Sequence, residues 1–490
     1  MGWLSLAAVT VSVLAGLATA DTCASVAALS NIESVQRLEP FYTAEQTEYW
    51  STACSALEPS CILYPSTADE VAAILAILSE NDERFAVKSG GHNPNDYFAS
   101  IASGPLISTA RLDSIVLDPA SGRVRVGPGA RWDAVAAELD GSGWTVVGGR
   151  IGNVGVGGLL LGGGLSYLSQ AHGWAMSSIL EMDVALANGT VITACASHHA
   201  DLFRALKGGG NNFGVVTSFL LQGYRQSGPV FGGNLHFARS EETDAGLLAA
   251  VRDFTEYNVD DKAAIIVTAG RAASGSVDIW VLFIFYDGPE PPAGTFDNFT
   301  SLGPFANTLK KQSYSMLLTG NNIFVLQGSV YTIGTETVPL PRGPAGLADI
   351  HAHWRNASSS TLGLAGATAT IGYQPFPRRM ARAARARGVD LVDADDAVDR
   401  IIVEFNYSHL LRTDSPRIDV VMKETIEGVR DLVLQGQDAD AFLALFMNDG
   451  YYSQDYFGRL RPEARRLAKR VAADVDPEGL FQYRTGGFKL

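Results

Sequence analysis

The chain has few charged residues, and the basic ones are scarcer than the acidic ones. Charged side chains make up 18% of its 490 residues, and 52 acidic against 37 basic residues give a net charge of −15 at pH 7. Nucleic-acid binding needs a basic surface that meets the phosphates, so this balance argues against a nucleic-acid partner. The densest basic stretch, residues 378–387, has arginines at helical spacing among alanines and predicts a solvated helix face.

Long apolar runs are absent beyond the N-terminus. Residues 1–20 read as a short apolar core that ends in Ala18-Thr19-Ala20, which is typical of a secretory signal peptide cleaved before Asp21. An N-terminal membrane anchor is the alternative, and it is disfavoured because the run is barely long enough to span a bilayer. We therefore expect a secreted protein without membrane association. Secretion would make four sequons candidate glycosylation sites: Asn188, Asn298, Asn356 and Asn406.

Cysteine is also scarce, with four residues at Cys23, Cys54, Cys61 and Cys195. None has metal-ligand spacing, and the pair His351-Ala-His353 lacks a nearby carboxylate or third ligand, so we expect no metal site. A secreted chain can form disulfides, and spacing alone leaves a Cys54–Cys61 bond open. Cys195 follows a predicted strand and is expected to be a buried thiol.

Glycine, in contrast, is concentrated in two loops. Residues 148–164 contain nine glycines in seventeen positions, without the Ser, Pro or Gln background of a disordered segment. Upstream, Lys88-Ser89-Gly90-Gly91-His92-Asn93 follows the apolar run 85–87, so a second glycine loop leaves a predicted strand and ends in a histidine. Glycine lets backbone amides approach a ligand directly, and both loops are therefore candidate phosphate-binding segments. Neither alone has the spacing of a common nucleotide-binding motif, but the pair in this order is specific.

The two loops together resemble those of vanillyl-alcohol-oxidase-type flavoproteins, and within them the berberine-bridge-enzyme-like FAD-linked oxidases found in fungi. Ser-Gly-Gly-His is similar to the pyrophosphate loop of that family, and residues 154–164 are similar to its second flavin loop. The likeness continues through 201–217 and through the C-terminal segments 446–449, 456–460 and 476–481. Residues 226–430 hold no motif that we can place firmly.

The resemblance implies an FAD cofactor bound by both loops and by later segments. In the family the histidine of the first loop is covalently attached to the flavin, which implies a bond through His92. Many relatives carry a second attachment through a cysteine three residues before the valine of the second loop, but that position here is Ile151, so we expect a single covalent link. The implied cofactor-binding residues are Lys88, Ser89, Gly90, Gly91, His92, Asn93, Gly149, Ile151, Gly152, Asn153, Val154, Gly157, Gly158, Gly164, Gly214, Val215, Val216 and Asn448.

Two further expectations follow from the resemblance. Relatives with valine at the position of Val154 tend to let O2 reach the reduced flavin, which favours an oxidase over a dehydrogenase. Relatives often bond the mature N-terminus to the strand that enters the FAD domain, which makes Cys23–Cys61 the preferred disulfide.

The catalytic base is harder to assign. Berberine bridge enzymes use a glutamate on a strand before a Phe-Pro pair, but the stretch before Phe376-Pro377 contains no carboxylate. Tyrosine acts as base in sugar-oxidising relatives, and the candidates here are Tyr373, Gln374, Tyr451 and Tyr452. We therefore expect a tyrosine to abstract the proton.

The expected fold class is α+β. The resemblance and the length predict that a signal peptide over 1–20 is followed by a two-subdomain FAD-binding domain of the PCMH type over 21–225. A substrate domain over 226–430 should contain an antiparallel sheet backed by helices. A C-terminal segment over 431–490 should return to the FAD domain. Within the substrate domain, the nearly continuous apolar run 277–286 predicts a strand covered on both faces.

The function expected from these features is a secreted, monomeric FAD oxidase. It would transfer hydride from an alcohol, carbohydrate or secondary metabolite to flavin N5 and pass the electrons to O2 to form H2O2. A flavin-retaining binding protein that has lost its catalytic groups stays open, as does an FAD dehydrogenase that does not use oxygen.

Overall fold

The computed structural model describes residues 21–29, 31–226, 228–343, 345–436 and 438–490. The predicted signal peptide, residues 1–20, lies outside the described residues. Within the described ranges every helix is too short or too polar to cross a membrane.

Eleven strands occupy the first half of the chain. They are β1 (Glu33–Gln36), β2 (Cys61–Tyr64), β3 (Ala86–Lys88), β4 (Pro105–Ser108), β5 (Ile115–Leu117), β6 (Val124–Val126), β7 (Trp144–Thr145), β8 (Ile179–Ala185), β9 (Val191–Cys195), β10 (Val215–Leu221) and β11 (Tyr224–Arg225). The helices among them are α1 (Thr22–Ala28), α2 (Tyr42–Thr47), α3 (Thr52–Ser55), α4 (Ala68–Ser79), α5 (Trp132–Leu139), α6 (Val156–Leu161), α7 (Ser169–His172) and α8 (Ala200–Leu206).

These strands form two main sheets. The first sheet has the order β1-β2-β4-β3, with parallel pairs on both sides of β4, and the second has the order β5-β6-β10-β8-β9 and is antiparallel. Helix α4 begins as its sequence predicts, because Thr67 caps it by accepting a hydrogen bond from the Glu70 amide at 3.2 Å. Both glycine loops start in this half, the first directly after β3 and the second before α6.

The second half contains the remaining eight strands. They are β12 (Val230–Ala238), β13 (Ala263–Ala272), β14 (Val277–Tyr286), β15 (Ala306–Asn307), β16 (Lys310–Gln312), β17 (Val330–Pro339), β18 (Thr368–Phe376) and β19 (Arg400–His409). The helices are α9 (Glu241–Tyr257), α10 (Asp297–Thr300), α11 (Tyr314–Gly320), α12 (Ala345–Ser359), α13 (Arg378–Arg385), α14 (Ser415–Gln435), α15 (Pro462–Val475) and α16 (Leu480–Arg484).

The eight strands build one large antiparallel sheet in the order β15-β12-β14-β13-β18-β19-β17, with β16 also paired to β12. One face of this sheet packs against α9, α12 and α14 through a continuous apolar core that includes Trp280, Trp354 and Phe405. The other face is free of helices over much of its area and borders a cavity. The chain therefore has the expected α+β fold, with an antiparallel sheet backed by helices.

Strand β14 differs from the expectation that its apolar run is covered on both faces. Its apolar run is not covered by helices on both faces, because Trp280, Leu282 and Ile284 point into the helix-side core while Val281 and Phe283 line the cavity. Alternate side chains of a strand point to opposite faces, so an apolar run also arises where one face is core and the other is the apolar wall of a pocket.

Candidate functional site

A cavity of about 870 Å³ lies between the two glycine loops and the free face of the large sheet. Most of the expected cofactor-binding residues line it: Ser89, Gly90, Gly91, His92, Asn93, Ile151, Val154, Gly157, Gly158, Gly214, Val215, Val216 and Asn448. The two loops touch each other beneath it, since a Cβ atom on Gly90 would lie 2.5 Å from the Gly155 nitrogen. Only glycine permits this approach of the two backbones.

Five of the expected cofactor-binding residues do not line the cavity: Lys88, Gly149, Gly152, Asn153 and Gly164. The Lys88 ammonium is buried beneath the first loop, where it forms an ion pair with Glu45 at 2.8 Å. Gly149 packs against the indole of Trp132, where a Cβ atom would lie 2.5 Å from Cδ1. Lys88 and Gly149 thus support the loops from behind, and contact of these five residues with the cofactor stays a prediction.

The imidazole of His92 is packed against an aromatic side chain, and its Nε2 atom has no hydrogen-bond partner among the described residues. Its imidazole stacks on Trp50 with ring centroids 4.9 Å apart, and Trp50 in turn stacks on Tyr331 of the large sheet at 4.3 Å. Burial lowers the pKa of His92 to about 4, and the charge of Arg131 acts in the same direction. Among the described residues no group hydrogen-bonds the buried Nε2 atom. The side chain is thus a neutral imidazole in a wall of the cavity, the form in which a ring nitrogen can act as a nucleophile.

The C-terminal segment reaches the glycine loops through asparagine side chains. The Asn448 amide donates to the Gly158 carbonyl and accepts from the Gly164 amide, each at 3.0 Å. Asn95, beyond the first loop, donates to the Gly450 carbonyl at 2.9 Å. These bonds join segments nearly three hundred residues or more apart in sequence, so the segment after α14 is part of the site.

Two carboxylates face the cavity, and the sequence interpretation had selected neither. Glu404 extends from β19 and Asp449 from the C-terminal segment. Burial raises the pKa of Glu404, and the charge of Asp449 raises it further, while Arg150 opposes both. Burial also raises the pKa of Asp449, against the hydrogen bond from Gln374 and the charge of Arg150. A half-buried, interacting pair of this kind titrates as a unit and can take up a proton near neutral pH.

Gln374 belongs to this group, although it does not line the cavity. Its amide donates to Asp449 Oδ2 at 3.0 Å, and its carbonyl oxygen accepts from the Arg150 guanidinium. Arg150 lies in the second glycine loop, Gln374 on β18 and Asp449 near the C-terminus. The residue expected to be catalytic therefore positions a carboxylate and links three distant parts of the chain.

The three tyrosines expected to supply the base lie away from the cavity. Tyr373 points to the helix side of β18, where its hydroxyl is 3.2 Å from His351 Nδ1 and burial raises its pKa. Tyr451 and Tyr452 both donate to the carboxylate of Asp419 on α14. Burial and Asp419 raise the pKa of Tyr451, the opposite of what a base requires. The structure thus brings Gln374 to the site but none of the tyrosines.

A sequence signal for Glu404 did exist. It is the single carboxylate in the run Ile401-Ile-Val-Glu-Phe-Asn-Tyr407, which is otherwise typical of a buried strand. A charged residue in such a strand is rarely buried without a partner or a function. The sequence could not reveal that β18 and β19 are neighbours with Gly372 directly opposite Glu404.

The structure also places the cysteines and the sequons. Cys23 and Cys61 form a disulfide, and Cys54 is a buried thiol. Cys195 is half-exposed rather than buried, and hydrogen bonds involving Ser197 and His198 lower its pKa. Asn188, Asn298 and Asn356 are exposed. Asn406, in contrast, lines the cavity, where a glycan would occupy the space expected for cofactor and substrate, so we do not retain it as a glycosylation site.

The residues present fit an FAD molecule. The glycine-lined part of the cavity leaves backbone accessible, for a Cβ atom on Gly158 would meet nothing within 4 Å. His92 and the free face of the large sheet line the same cavity. A cavity lined by glycine backbone with a neutral histidine in its wall suits a dinucleotide whose ring is attached to that histidine.

Comparisons with known proteins also indicate that the chain binds FAD. A family model described as an FAD binding domain matches residues 59–194. An uncharacterised FAD-linked oxidoreductase of Arthroderma benhamiae is 39% identical over 92% of this chain and 91% of its own length. An FAD-dependent monooxygenase of Cochliobolus heterostrophus is 32% identical over 90% of this chain and 87% of its own length.

Solved structures share the fold at lower identity. A glucooligosaccharide oxidase of Acremonium strictum superposes with a TM-score of 0.77 at 16% identity, covering 96% of this chain and 98% of its own. The 6-hydroxy-D-nicotine oxidase of Arthrobacter nicotinovorans gives 0.74 at 20% identity, covering 93% and 97%. The fungal relative at 39% identity shows that the chain belongs to the FAD-linked oxidoreductases, and the solved structures show that it shares the fold of these flavin oxidases.

Proposed function

We propose that this FAD-dependent oxidoreductase is a secreted oxidase that binds its flavin through one covalent bond to His92 and uses O2 as electron acceptor. The observation that carries the proposal is that His92 and the Glu404–Asp449 carboxylate pair line one cavity. Ile151 lines the same cavity and has no sulfur atom for a second bond.

FAD, when bound, supplies the hydride acceptor for the oxidation. The chain itself supplies the base: the ionised Glu404 carboxylate takes the hydroxyl proton of an alcohol as the C–H bond gives up its electron pair as hydride. The C–OH group becomes C=O, and Glu404 ends protonated. Asp449, held by Gln374 and through it by Arg150, keeps the proton affinity of Glu404 high through its negative charge.

Oxygen use is supported by the position of Val154. Its side chain lines the cavity and is only partly buried, so a small hydrophobic residue stands where a larger one would narrow the space. Among the relatives are proteins named monooxygenases, and among the solved structures proteins named oxidases. We propose peroxide as the product of this chain, with no oxygen atom transferred to the substrate.

We propose that residues 21–225 bind the cofactor, that residues 226–430 bind the substrate, and that residues 431–490 close the site. Secretion and glycosylation at Asn188, Asn298 and Asn356 are part of it, as is a monomeric state. The Cys23–Cys61 disulfide supports an oxidising compartment.

The test is a screen of the purified holoenzyme against alcohols, sugars, phenols and amines, with anaerobic bleaching of the flavin absorbance and peroxide release as readouts. We expect bleaching by at least one compound, followed by rapid recovery and peroxide on admission of air. Bleaching without recovery in air would identify a dehydrogenase. Transfer of isotope from labelled O2 into the product would identify a monooxygenase. A flavin that no compound bleaches would favour a binding protein.

A further inference from the structure

One arginine behind the cavity wall contacts both glycine loops. Arg131 lies directly before α5, and its backbone forms an antiparallel bridge with Gly155 of the second loop. Its guanidinium donates to the Asn153 carbonyl of the same loop and, at 3.2 Å, to the Gly90 carbonyl of the first loop. Arg131 itself does not line the cavity. A single side chain thus joins the two loops without occupying the space between them.

A carboxylate sets the orientation of this guanidinium. Arg131 Nη1 forms both bonds to the loops, while Nη2 forms an ion pair with Glu48 at the end of α2. Two residues further on, the Trp50 amide donates to the Gly91 carbonyl at 3.1 Å. A planar guanidinium presents its N–H groups in a fixed fork, which a lysine ammonium lacks. Arg131 therefore links the first loop, the second loop and the segment after α2 in one fixed arrangement.

The backbone that Arg131 holds has little freedom from its other contacts. The Asn153 amide donates to the Asn322 side chain at 2.9 Å, so both polar groups of this peptide backbone have partners. A Cβ atom on Gly90 would lie 3.3 Å from Arg131 Nη1, so the guanidinium rests closely against the first loop. The contact is specific in position, since it engages one carbonyl from each loop.

Both held carbonyl groups belong to neighbours of His92. Gly90 precedes His92 by two residues in the first loop. Burial is the main cause that lowers the pKa of His92, the charge of Arg131 acts in the same direction, and the Asn153 side chain opposes both. Arg131 and Asn153 are thus close enough to the imidazole to act on its charge. The link between the loops fixes the backbone around this side chain.

Formation of a covalent bond to the flavin depends on where that imidazole lies. A ring nitrogen of the neutral His92 forms a bond to a flavin methyl carbon, as one proton leaves the methyl group and one leaves the imidazole. The two electrons released pass to the flavin ring, and O2 takes them up with two protons to form H2O2. A displacement of the reacting atoms by about 1 Å can slow such a step about 10²-fold.

We propose, resting on the covalent attachment proposed above, that Arg131 is a positioning residue for attachment of the flavin to His92. It holds the Gly90 and Asn153 carbonyls in a fixed relation and thereby holds the imidazole between the loops and the cofactor. The residues that line the cavity bind FAD itself. Loss of the Arg131 link should therefore slow attachment far more than it weakens binding of FAD.

The test separates attachment from binding. Wild type and Arg131→Gln are purified with excess FAD and freed of unbound FAD by gel filtration. Total flavin is measured by absorbance, and attached flavin is measured in the pellet after acid precipitation. We expect similar total flavin in both proteins, retention of flavin in the wild-type pellet, and release of most flavin from Arg131→Gln. A merely structural role would instead lower total flavin and the thermal unfolding temperature together.

Three further variants complete the test. Arg123→Gln, an exposed change before β6, is the matched control and should retain its flavin as the wild type does. Glu48→Gln keeps both carbonyl bonds of Arg131 and should keep most of the attachment. Arg131→Lys keeps the positive charge but not the fork, and it should lose attachment as Arg131→Gln does. If Arg131→Gln does not fold, Arg131→Lys provides the same comparison.

Several results would overturn the proposal. These are full attachment in Arg131→Gln or in Arg131→Lys, an equal loss of attachment in Glu48→Gln, and a parallel loss of total and attached flavin in the Arg131 variants. Each of them leaves the covalent bond of the wild type intact. Free release of flavin from the wild type would overturn that covalent bond, and the role of Arg131 with it.

Discussion

Gly372 lies directly opposite Glu404 on the neighbouring strand, and a Cβ atom at position 372 would come within 3.8 Å of the carboxylate oxygen Oε2. The stretch of β18 before Phe376-Pro377, where berberine bridge enzymes carry a glutamate, holds no carboxylate, while the adjacent strand carries the acid. The carboxylate occupies the same face of the sheet from a different strand. This relationship leads to the first prediction.

Glu404→Gln removes the proton acceptor but keeps the size of the side chain. With a substrate established for the wild type, we expect flavin reduction to slow by about 10²–10⁴-fold, the usual effect of losing a general base. The measurement is stopped-flow absorbance under anaerobic conditions, with flavin content determined beforehand. Glu138→Gln, an exposed change on α5, is the matched control and should reduce at the wild-type rate. An unimpaired Glu404→Gln enzyme would place the base elsewhere.

The pH dependence of flavin reduction should follow the protonation of the Glu404–Asp449 pair. Glu404 accepts a proton only when ionised, and burial and Asp449 raise its pKa, so the rate should increase with pH through a range above that of an ordinary glutamate. Asp449→Asn removes the like charge, lowers the pKa of Glu404 and should shift this increase to lower pH. An unshifted profile would show that the two groups are not coupled during catalysis.

His92→Ala should abolish covalent attachment of the flavin. Acid precipitation of the wild type should leave the yellow colour in the pellet, and mass spectrometry should find flavin on one peptide, the one that contains His92. In the variant the flavin should remain in the supernatant while circular dichroism shows a folded chain. Free release from the wild type would contradict the tether, and a second modified peptide would contradict the single link.

Val154→Leu should affect the reaction with oxygen alone. If the space beside Val154 is the route of O2, the added carbon should slow reoxidation of the reduced enzyme by orders of magnitude and spare flavin reduction. Mixing anaerobically reduced enzyme with air-saturated buffer measures this directly. Val116→Leu on exposed β5 controls for the substitution itself. Equal reoxidation rates in Val154→Leu and wild type would exclude this route.

Loss of the Cys23–Cys61 disulfide should reduce the free energy of unfolding. The bond closes a loop with a sequence separation of 38 residues, for which the loss of loop entropy in the unfolded chain is worth about 4 kcal/mol. Cys23→Ala should therefore unfold at lower denaturant concentration than the oxidised wild type. The reduced wild type serves as the comparison that isolates the bond from the side-chain change, and equal midpoints of the oxidised and reduced forms would contradict the prediction.

The sequence predicted those parts of the site whose geometry is local. A glycine loop after a strand and a histidine at its end are read from adjacent residues, and His92 and Val154 line the cavity as expected. The position of Tyr373 could not be obtained in this way, since one residue of difference along a strand reverses the face on which a side chain lies. The sequence also could not predict that Glu404 and Asp449 lie near each other, because this depends on the pairing of β18 with β19 and on the return of the C-terminal segment.

The amide of Asn448 joins Gly158 to Gly164 in the second glycine loop, and Asn95 ties the region after the first loop to Gly450. A chain still being synthesised has both loops outside the ribosome long before these partners emerge. Such a chain can form the local strands and helices of its first half, but it lacks the contacts that set the final shape of either loop. We therefore expect stable binding of the flavin to need the C-terminal segment, and a chain that ends before Asn448 to hold the cofactor less tightly.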